Sequence, residues 1–349
     1  MARAKTEEAN MISKPAAQAN PVPTVKMLLD GKFIESQSRE WHEVVNPATQ
    51  QVLAQVPFAT DEELHAAVAS AKRAFKSWKN TPLAARARIM LKLQALVREH
   101  MSRIAQTLSA EQGKTLADAE GDVFRGLEVV EHACSIGSLQ LGEFAENVAG
   151  GVDTYTLRQP IGVCAGITPF NFPAMIPLWM FPMAIVCGNT FVLKPSEQDP
   201  LTPMLLAELA LEAGVPPGVL NIVHGGKRVV DAICTHPDIA AISFVGSTAV
   251  GTHVYSLASE RGKRVLAVHG SWGGNQNRIN SGVIQKLLRC LIGFEAALLG
   301  FGTARRCRIG GGNSAGADAL AKPGCVLVSD AAESDDSDGE SLHCYSDLY

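Results

Sequence analysis

The chain has 349 residues, 46% of them hydrophobic, which is enough for two domains of ordinary size and too apolar for a disordered polymer. A net charge of −4 excludes the basic footprint that nucleic acid or an anionic membrane requires, leaving small-molecule chemistry as the expectation. Eight cysteines with no CxxC pair and no zinc-like Cys/His cluster exclude a disulfide scaffold and a structural metal site, and imply free thiols in a reducing compartment.

Residues 1–23, rich in Ala, Asn and Pro, read as a flexible leader. Its Arg3, Lys5 and Lys14 are interrupted by Glu7 and Glu8 and precede no apolar segment, a pattern that is neither a signal nor a transit peptide. Over residues 25–34 the Asp30-Gly31 pair between apolar runs predicts a hairpin, and hence an antiparallel sheet edge. Asp61, with Glu63 in the first turn, opens a helix in which Leu64, Val68, Ala71 and Phe75 recur at helical spacing. Pro82 starts a second helix through Ile89, Leu93, Leu96 and Val97, and a third is predicted from about residue 116 to 146. These helices form a layer that needs a sheet to cover.

From residue 161 short β runs alternate with helices: GVCAGIT, helix 173–187, TFVLK, helix 202–213, VLNIV, helix 227–235, AAISFV, helix 247–260 and KRVLAV. Such alternation predicts parallel strands with right-handed crossovers, an α/β doubly wound sheet whose ligands bind beyond the strands' carboxyl ends. The most apolar stretch, 172–186, is too short to span a membrane and holds three prolines.

Three motifs carry the chemistry: Thr168-Pro-Phe-Asn-Phe-Pro173, Gly188-Asn-Thr-Phe-Val-Leu-Lys-Pro-Ser-Glu197 and Phe244-Val-Gly-Ser-Thr-Ala-Val-Gly251. In order and separation they resemble the aldehyde dehydrogenase superfamily, a likeness that covers residues 25–268 and implies a Rossmann-type NAD-binding domain. Lys194 and Glu197, just past a strand end, suit the hydroxyls of an adenosine ribose, and the carboxylate disfavours the 2′-phosphate of NADP. Gly246 and Ser247 end a strand and open a helix, where free N–H groups and the helix dipole suit a pyrophosphate. A surface Lys-Pro turn and an ordinary Gly-Ser helix cap are the alternatives for the two places.

The resemblance implies further roles. Thr168 and Phe170 would line the cofactor pocket, Gln198 would lie beside the ribose, and the Asn171 amide would donate to the carbonyl oxygen as it becomes an oxyanion. The wording of residues 169–184 is similar to the malonate and methylmalonate semialdehyde dehydrogenases that acylate coenzyme A. Their substrates carry a carboxylate, for which Arg125 is the candidate cation; a surface arginine pairing with Glu128 or Asp122 is the other reading. A cysteine thiolate would attack the aldehyde, hydride would pass to NAD, and coenzyme A would take the acyl group. A homo-oligomer, a tetramer in the family, and a mitochondrial address are implied in the same way.

After residue 268 the pattern changes. The segment Val268-His-Gly-Ser-Trp-Gly-Gly274 lacks the acid that hydrolytic members use as a base, which fits acyl transfer to a thiol. Residues 271–282 read as loop and 283–301 as one apolar helix. Gly302-Thr-Ala-Arg-Arg-Cys307 offers Cys307 as nucleophile, its pKa lowered by cationic neighbours, or as an incidental thiol. The domain expectation is therefore a leader, an NAD-binding domain over 24–270 with N-terminal oligomerisation and helical elements, a divergent catalytic remnant over 271–329, and an acidic disordered tail over 330–349. Most of the catalytic domain and the oligomerisation strand would then be missing. A generic NAD-dependent aldehyde dehydrogenase releasing free acid, or an inactive NAD-binding fragment, are the competing readings.

Overall fold

The computed structural model describes residues 22–269. Its first elements are β1 (Met27–Leu29) and β2 (Lys32–Ile34), paired antiparallel around Asp30 and Gly31. Both turn residues are left-handed, at φ 51° and 75°, which is what a tight hairpin of this hand requires and why Asp-Gly occupies it. A second antiparallel pair, β3 (Trp41–Val45) and β4 (Val52–Pro57), follows; it has no counterpart in the sequence reading. Pro23, read as the end of the leader, already accepts a hydrogen bond from Gln55 of β4 at 2.9 Å, so the ordered chain begins before residue 24.

Helix α1 (Asp61–Trp78) starts where expected. Thr60 and Glu63 form a reciprocal capping box, and Glu63 also receives the Ser36 hydroxyl at 2.9 Å and the Gln37 N–H at 2.8 Å. Helix α2 (Leu83–Glu99) matches the second expected helix, and α3 (Met101–Gln112) is an additional one, separated from α2 only by His100. The long third helix is corrected. It ends at Cys134 as α4 (Leu116–Cys134), a single turn α5 (Ile136–Leu139) follows, and residues 144–155 form a hairpin of β5 (Phe144–Ala149) and β6 (Val152–Tyr155). Gly137 and Gly142 weaken helix continuation there, and every residue of both strands is exposed.

The β/α alternation appears in register with the sequence: β7 (Val163–Ile167), α6 (Met175–Val186), β8 (Thr190–Lys194), α7 (Leu201–Ala213), β9 (Leu220–Ile222), α8 (Lys227–Thr235), β10 (Ile239–Gly246), α9 (Thr248–Ser259) and β11 (Arg264–His269). They build a seven-stranded sheet of order β11-β10-β7-β8-β9-β1-β2, parallel except for the hairpin, which joins β9 antiparallel through Leu28 and Ile222.

Both faces of the sheet are covered, as parallel sheets require. On one face Val163, Ala165 and Ile167 meet Leu64, Val68 and Ala71 of α1, Val229 and Ile233 of α8, and Val254 and Ala258 of α9. On the other, Gly166 lies against the Phe191 ring and Met180 of α6; a Cβ at Gly166 would stand 2.6 Å from Phe191 Cζ, so glycine is required for α6 to seat on the strand. Behind α6 packs α4, whose Gly126 admits Leu178 and the Met175 backbone. Among the described residues no helix is long and apolar enough to cross a membrane.

Candidate functional site

Strand order locates the site. The chain leaves β7 for β8 and β9 on one side and returns through β10 and β11 on the other, so the topology reverses between β7 and β10. The crevice outside the carboxyl ends at such a reversal is where doubly wound sheets bind ligands. Ile167 pairs with Phe244 on one flank and Lys194 on the other. Thr168, the residues after Lys194, and Gly246-Ser247 therefore emerge side by side, although some 80 residues of sequence separate the first from the last.

On the β8 side the Lys194 ammonium lies 3.1 Å from Glu197 Oε2, with the lysine nearly buried and the glutamate a third exposed. Burial would raise the Glu197 carboxyl, but the adjacent lysine charge prevails and holds it below the ordinary value, so it is ionised. Gln198, exposed, donates its backbone N–H to Ser196 Oγ at 3.1 Å. The N-terminus of α7 is capped from outside: both Glu111 oxygens, at the end of α3, accept the Leu201 and Thr202 N–H groups at 2.7 Å. Glu111 thus fixes the far end of the loop that carries Glu197. Beside it Asp199 is buried, its oxygens unpartnered among the described residues; burial and the Glu111 charge push its carboxyl well up.

On the β7 side Thr168 is buried, donates its N–H to Lys194 O at 3.2 Å, and leaves its hydroxyl without a partner among the described residues. Phe170 is half exposed. Asn171 is partly buried, its amide oxygen unpartnered in the same sense, so the amide is not committed to holding the turn. Its backbone oxygen accepts from Lys114 Nζ at 2.5 Å. The β10 side ends in Gly246 and the exposed Ser247, which caps α9 by position but makes no side-chain cap bond.

A dinucleotide fits this set: a carboxylate with a lysine at the end of β8, a helix N-terminus across the reversal point, and a buried hydroxyl without a partner among the described residues between them. Arg125 is exposed on α4. Its pairing with Asp122 does not occur, because Asp122 is buried and engaged by Lys114 at 2.8 Å, and no ion pair to Glu128 forms; instead the Trp179 indole donates to the Arg125 carbonyl at 3.2 Å. Cys307 lies outside the described residues, as do all of residues 270–349 and the leader up to residue 21. The four described cysteines, Cys134, Cys164, Cys187 and Cys234, have thiols pushed up by burial, to about 12 for Cys164 and about 11 for Cys234, so none is an activated thiolate. No group of described residues could hold a metal ion.

Lys114 and Glu111 are absent from the sequence reading, and Asp122 enters it only as a surface partner of Arg125. Asp122 carried a usable signal: it falls on the stripe of α4 formed by Ala119, Val123, Gly126 and Leu127, and a carboxylate on a buried stripe requires a partner.

A doubly wound α/β sheet with a lysine-paired carboxylate, a helix N-terminus and an uncommitted asparagine at its reversal point has the features of a dinucleotide-domain protein of the oxidoreductase kind. Residues 33–278 match the model of the aldehyde dehydrogenase family, and the chain belongs to that family. It is 57% identical over 256 residues to the mitochondrial acylating methylmalonate-semialdehyde dehydrogenase of Arabidopsis thaliana, covering 73% of this chain and 42% of the relative. Against the mitochondrial acylating methylmalonate-semialdehyde/malonate-semialdehyde dehydrogenase of Homo sapiens it is 55% identical over 253 residues, 72% of this chain and 47% of that one. A crystal structure from Sinorhizobium meliloti 1021, assigned as a methylmalonate-semialdehyde dehydrogenase and complexed with NAD, superposes with a TM-score of 0.70 at 50% identity, covering 71% of this chain and 51% of that one. The chain spans about half the length of the curated relatives it matches.

Proposed function

We propose that the chain takes part in NAD-dependent, coenzyme A-acylating oxidation of malonate or methylmalonate semialdehyde. The observation that carries this reading is the convergence of Thr168, Lys194 and Gly246-Ser247 at the sheet's reversal point, with Asn171 three residues beyond Thr168. Bound NAD supplies the hydride acceptor. Lys194 and Glu197 hold its adenosine ribose, with Gln198 alongside; Gly246 and Ser247 receive the pyrophosphate; Thr168 and Phe170 line the path to the nicotinamide. Asn171 donates its amide N–H to the aldehyde oxygen as negative charge develops there.

Cys307 forms the bond to the aldehyde carbon as a thiolate, hydride departs to the cofactor, and a thioester remains. The thiol of coenzyme A displaces Cys307 from that thioester, with decarboxylation first in the methylmalonate branch. Arg125 pairs with the substrate carboxylate. Absence of an acid over residues 268–274 supports thiol rather than water as acyl acceptor. The apolar Phe144, Val148, Val152 and Tyr155 exposed on the β5–β6 hairpin support assembly with further copies of the chain, a homo-oligomer as in the family, and the names of the eukaryotic relatives support a mitochondrial address.

Purified full-length protein supplied with methylmalonate semialdehyde, NAD and coenzyme A tests the proposal by NADH absorbance, with Cys307→Ala beside it. NADH formed only with coenzyme A and Cys307 supports it. NADH without coenzyme A makes the protein a dehydrogenase that releases free acid, and NAD binding without NADH reduces its function to nucleotide binding.

A further inference from the structure

The turn between α3 and α4 packs against the segment that follows β7 and carries Asn171. Gly113 ends α3 in a left-handed conformation, with φ 88°, and a Cβ there would lie 2.6 Å from Pro47 Cγ; both facts demand glycine. This turn places Lys114 against the segment that follows β7. Its ammonium is mostly buried and makes three contacts: Asp122 Oδ2 at 2.8 Å, the Asn171 backbone oxygen at 2.5 Å, and the Phe172 ring, over whose centroid it stands at 4.0 Å. The second Asp122 oxygen accepts the Met175 N–H at 2.7 Å, capping α6 at an N-terminus that has no side-chain cap of its own.

We propose that Lys114 is a positioning residue for Asn171, acting with Asp122 as a two-point clamp on residues 171–175. The proposal rests on the role given to Asn171 above. Lys114 touches neither substrate nor cofactor; it acts through the backbone of the residue that would.

The physical case is one of constraint. An oxyanion donor is effective only when its N–H is already aimed where charge will appear, and a displacement of about 1 Å costs on the order of 100-fold in rate. The Asn171 side chain has no bond of its own to fix it among the described residues. Its backbone must be held instead, and the clamp grips that segment once at Asn171 and again at Met175. Asp122, wholly buried, is raised by desolvation and countered by Lys114; removing the lysine alone would strand a carboxylate.

The test therefore uses Lys114→Met combined with Asp122→Asn in the full chain. The asparagine oxygen still accepts from Met175 and leaves no buried charge, so what is lost is the Lys114 ammonium with its hold on Asn171 and the adjoining Phe172 ring. Hydrogen exchange is the first readout: amides of residues 170–176 should exchange roughly 10-fold faster while those of α1, α8 and α9 do not change. Turnover is the second: kcat for NADH formation should fall about 10- to 100-fold with KM for NAD unchanged, and Lys114→Arg should recover part of it. In an Asn171→Ala background the same pair should add little, because the clamp acts through Asn171.

Unchanged exchange over 170–176, or a kcat loss that multiplies in full with Asn171→Ala, overturns the proposal. If the unmodified protein forms no NADH, the proposed function fails separately, and the exchange measurement alone decides whether Lys114 holds the segment.

Discussion

The ammonium of Lys194, the last residue of β8 and the register partner of Ile167 on the neighbouring strand, stands 3.1 Å from Oε2 of Glu197, three residues further on. An ionised carboxylate held there by a lysine is a poor neighbour for a 2′-phosphate. Glu197→Gln should weaken NAD binding only modestly and tighten NADP binding, so the ratio of the two dissociation constants falls by roughly 10-fold, about 1.4 kcal/mol. Titration of both nucleotides against both proteins measures it; an unchanged ratio would remove Glu197 from cofactor selection.

Asn171→Ala should leave the nucleotide affinity within a factor of two or so and lower kcat by roughly 100- to 1000-fold, the ordinary cost of an oxyanion donor. The comparison that decides is kcat against the NAD dissociation constant. Equal losses in both would mean that Asn171 holds the loop rather than the developing charge.

Two glycines of the same helix should respond in opposite ways. Gly121 has open space where a Cβ would be, whereas a Cβ at Gly126 would lie 2.7 Å from Leu178 Cδ1 and 3.2 Å from the Met175 backbone. Gly121→Ala gains helix propensity and should stabilise by about 0.5–1 kcal/mol. Gly126→Ala gains the same propensity but forces α4 and α6 apart, for a net loss of about 1–2 kcal/mol. Denaturant midpoints of the two variants should fall on either side of the parent protein.

Two buried groups give pH dependences of opposite sign. His224 is held at about 4 by burial, below its ordinary 6.5, with Nε2 bonded to the Lys26 carbonyl at 3.0 Å. It stays neutral in the fold, so its contribution is present above pH 6.5 and is lost as pH falls towards 4. Glu111 is raised to about 7 by burial, above its ordinary 4.5; its contribution is full below pH 4.5 and is lost as pH rises through 7. Relative to the parent protein, His224→Gln should therefore fare better at pH 4.5 than at pH 7.5, and Glu111→Gln better at pH 7.5 than at pH 4.5. Thermal melts at the two pH values measure both differences, and a common sign would show that one of the groups is not buried as described.

What the sequence determined by itself was local. Apolar runs of strand length bounded by Gly and Pro specify the β/α units from β7 to β11, because run length and punctuation act within a few residues. The Asp30-Gly31 pair specifies its hairpin through two left-handed residues, and Lys194, Glu197, Gly246 and Ser247 fall at or just past the ends of the strands that the apolar runs mark. Tertiary structure decided the rest. Nothing local distinguishes His100 as the join of two helices, or residues 144–155 as a hairpin rather than more helix, since those outcomes depend on what packs there. Strand order, which creates the crevice between β7 and β10, comes from pairing across the whole domain. Lys114 and Asn171 are 57 positions apart, and their bond exists only because α4 seats on α6 through Gly126. Such a contact is set by the summed burial of helix against helix and helix against sheet, a long-range quantity that no window of sequence contains.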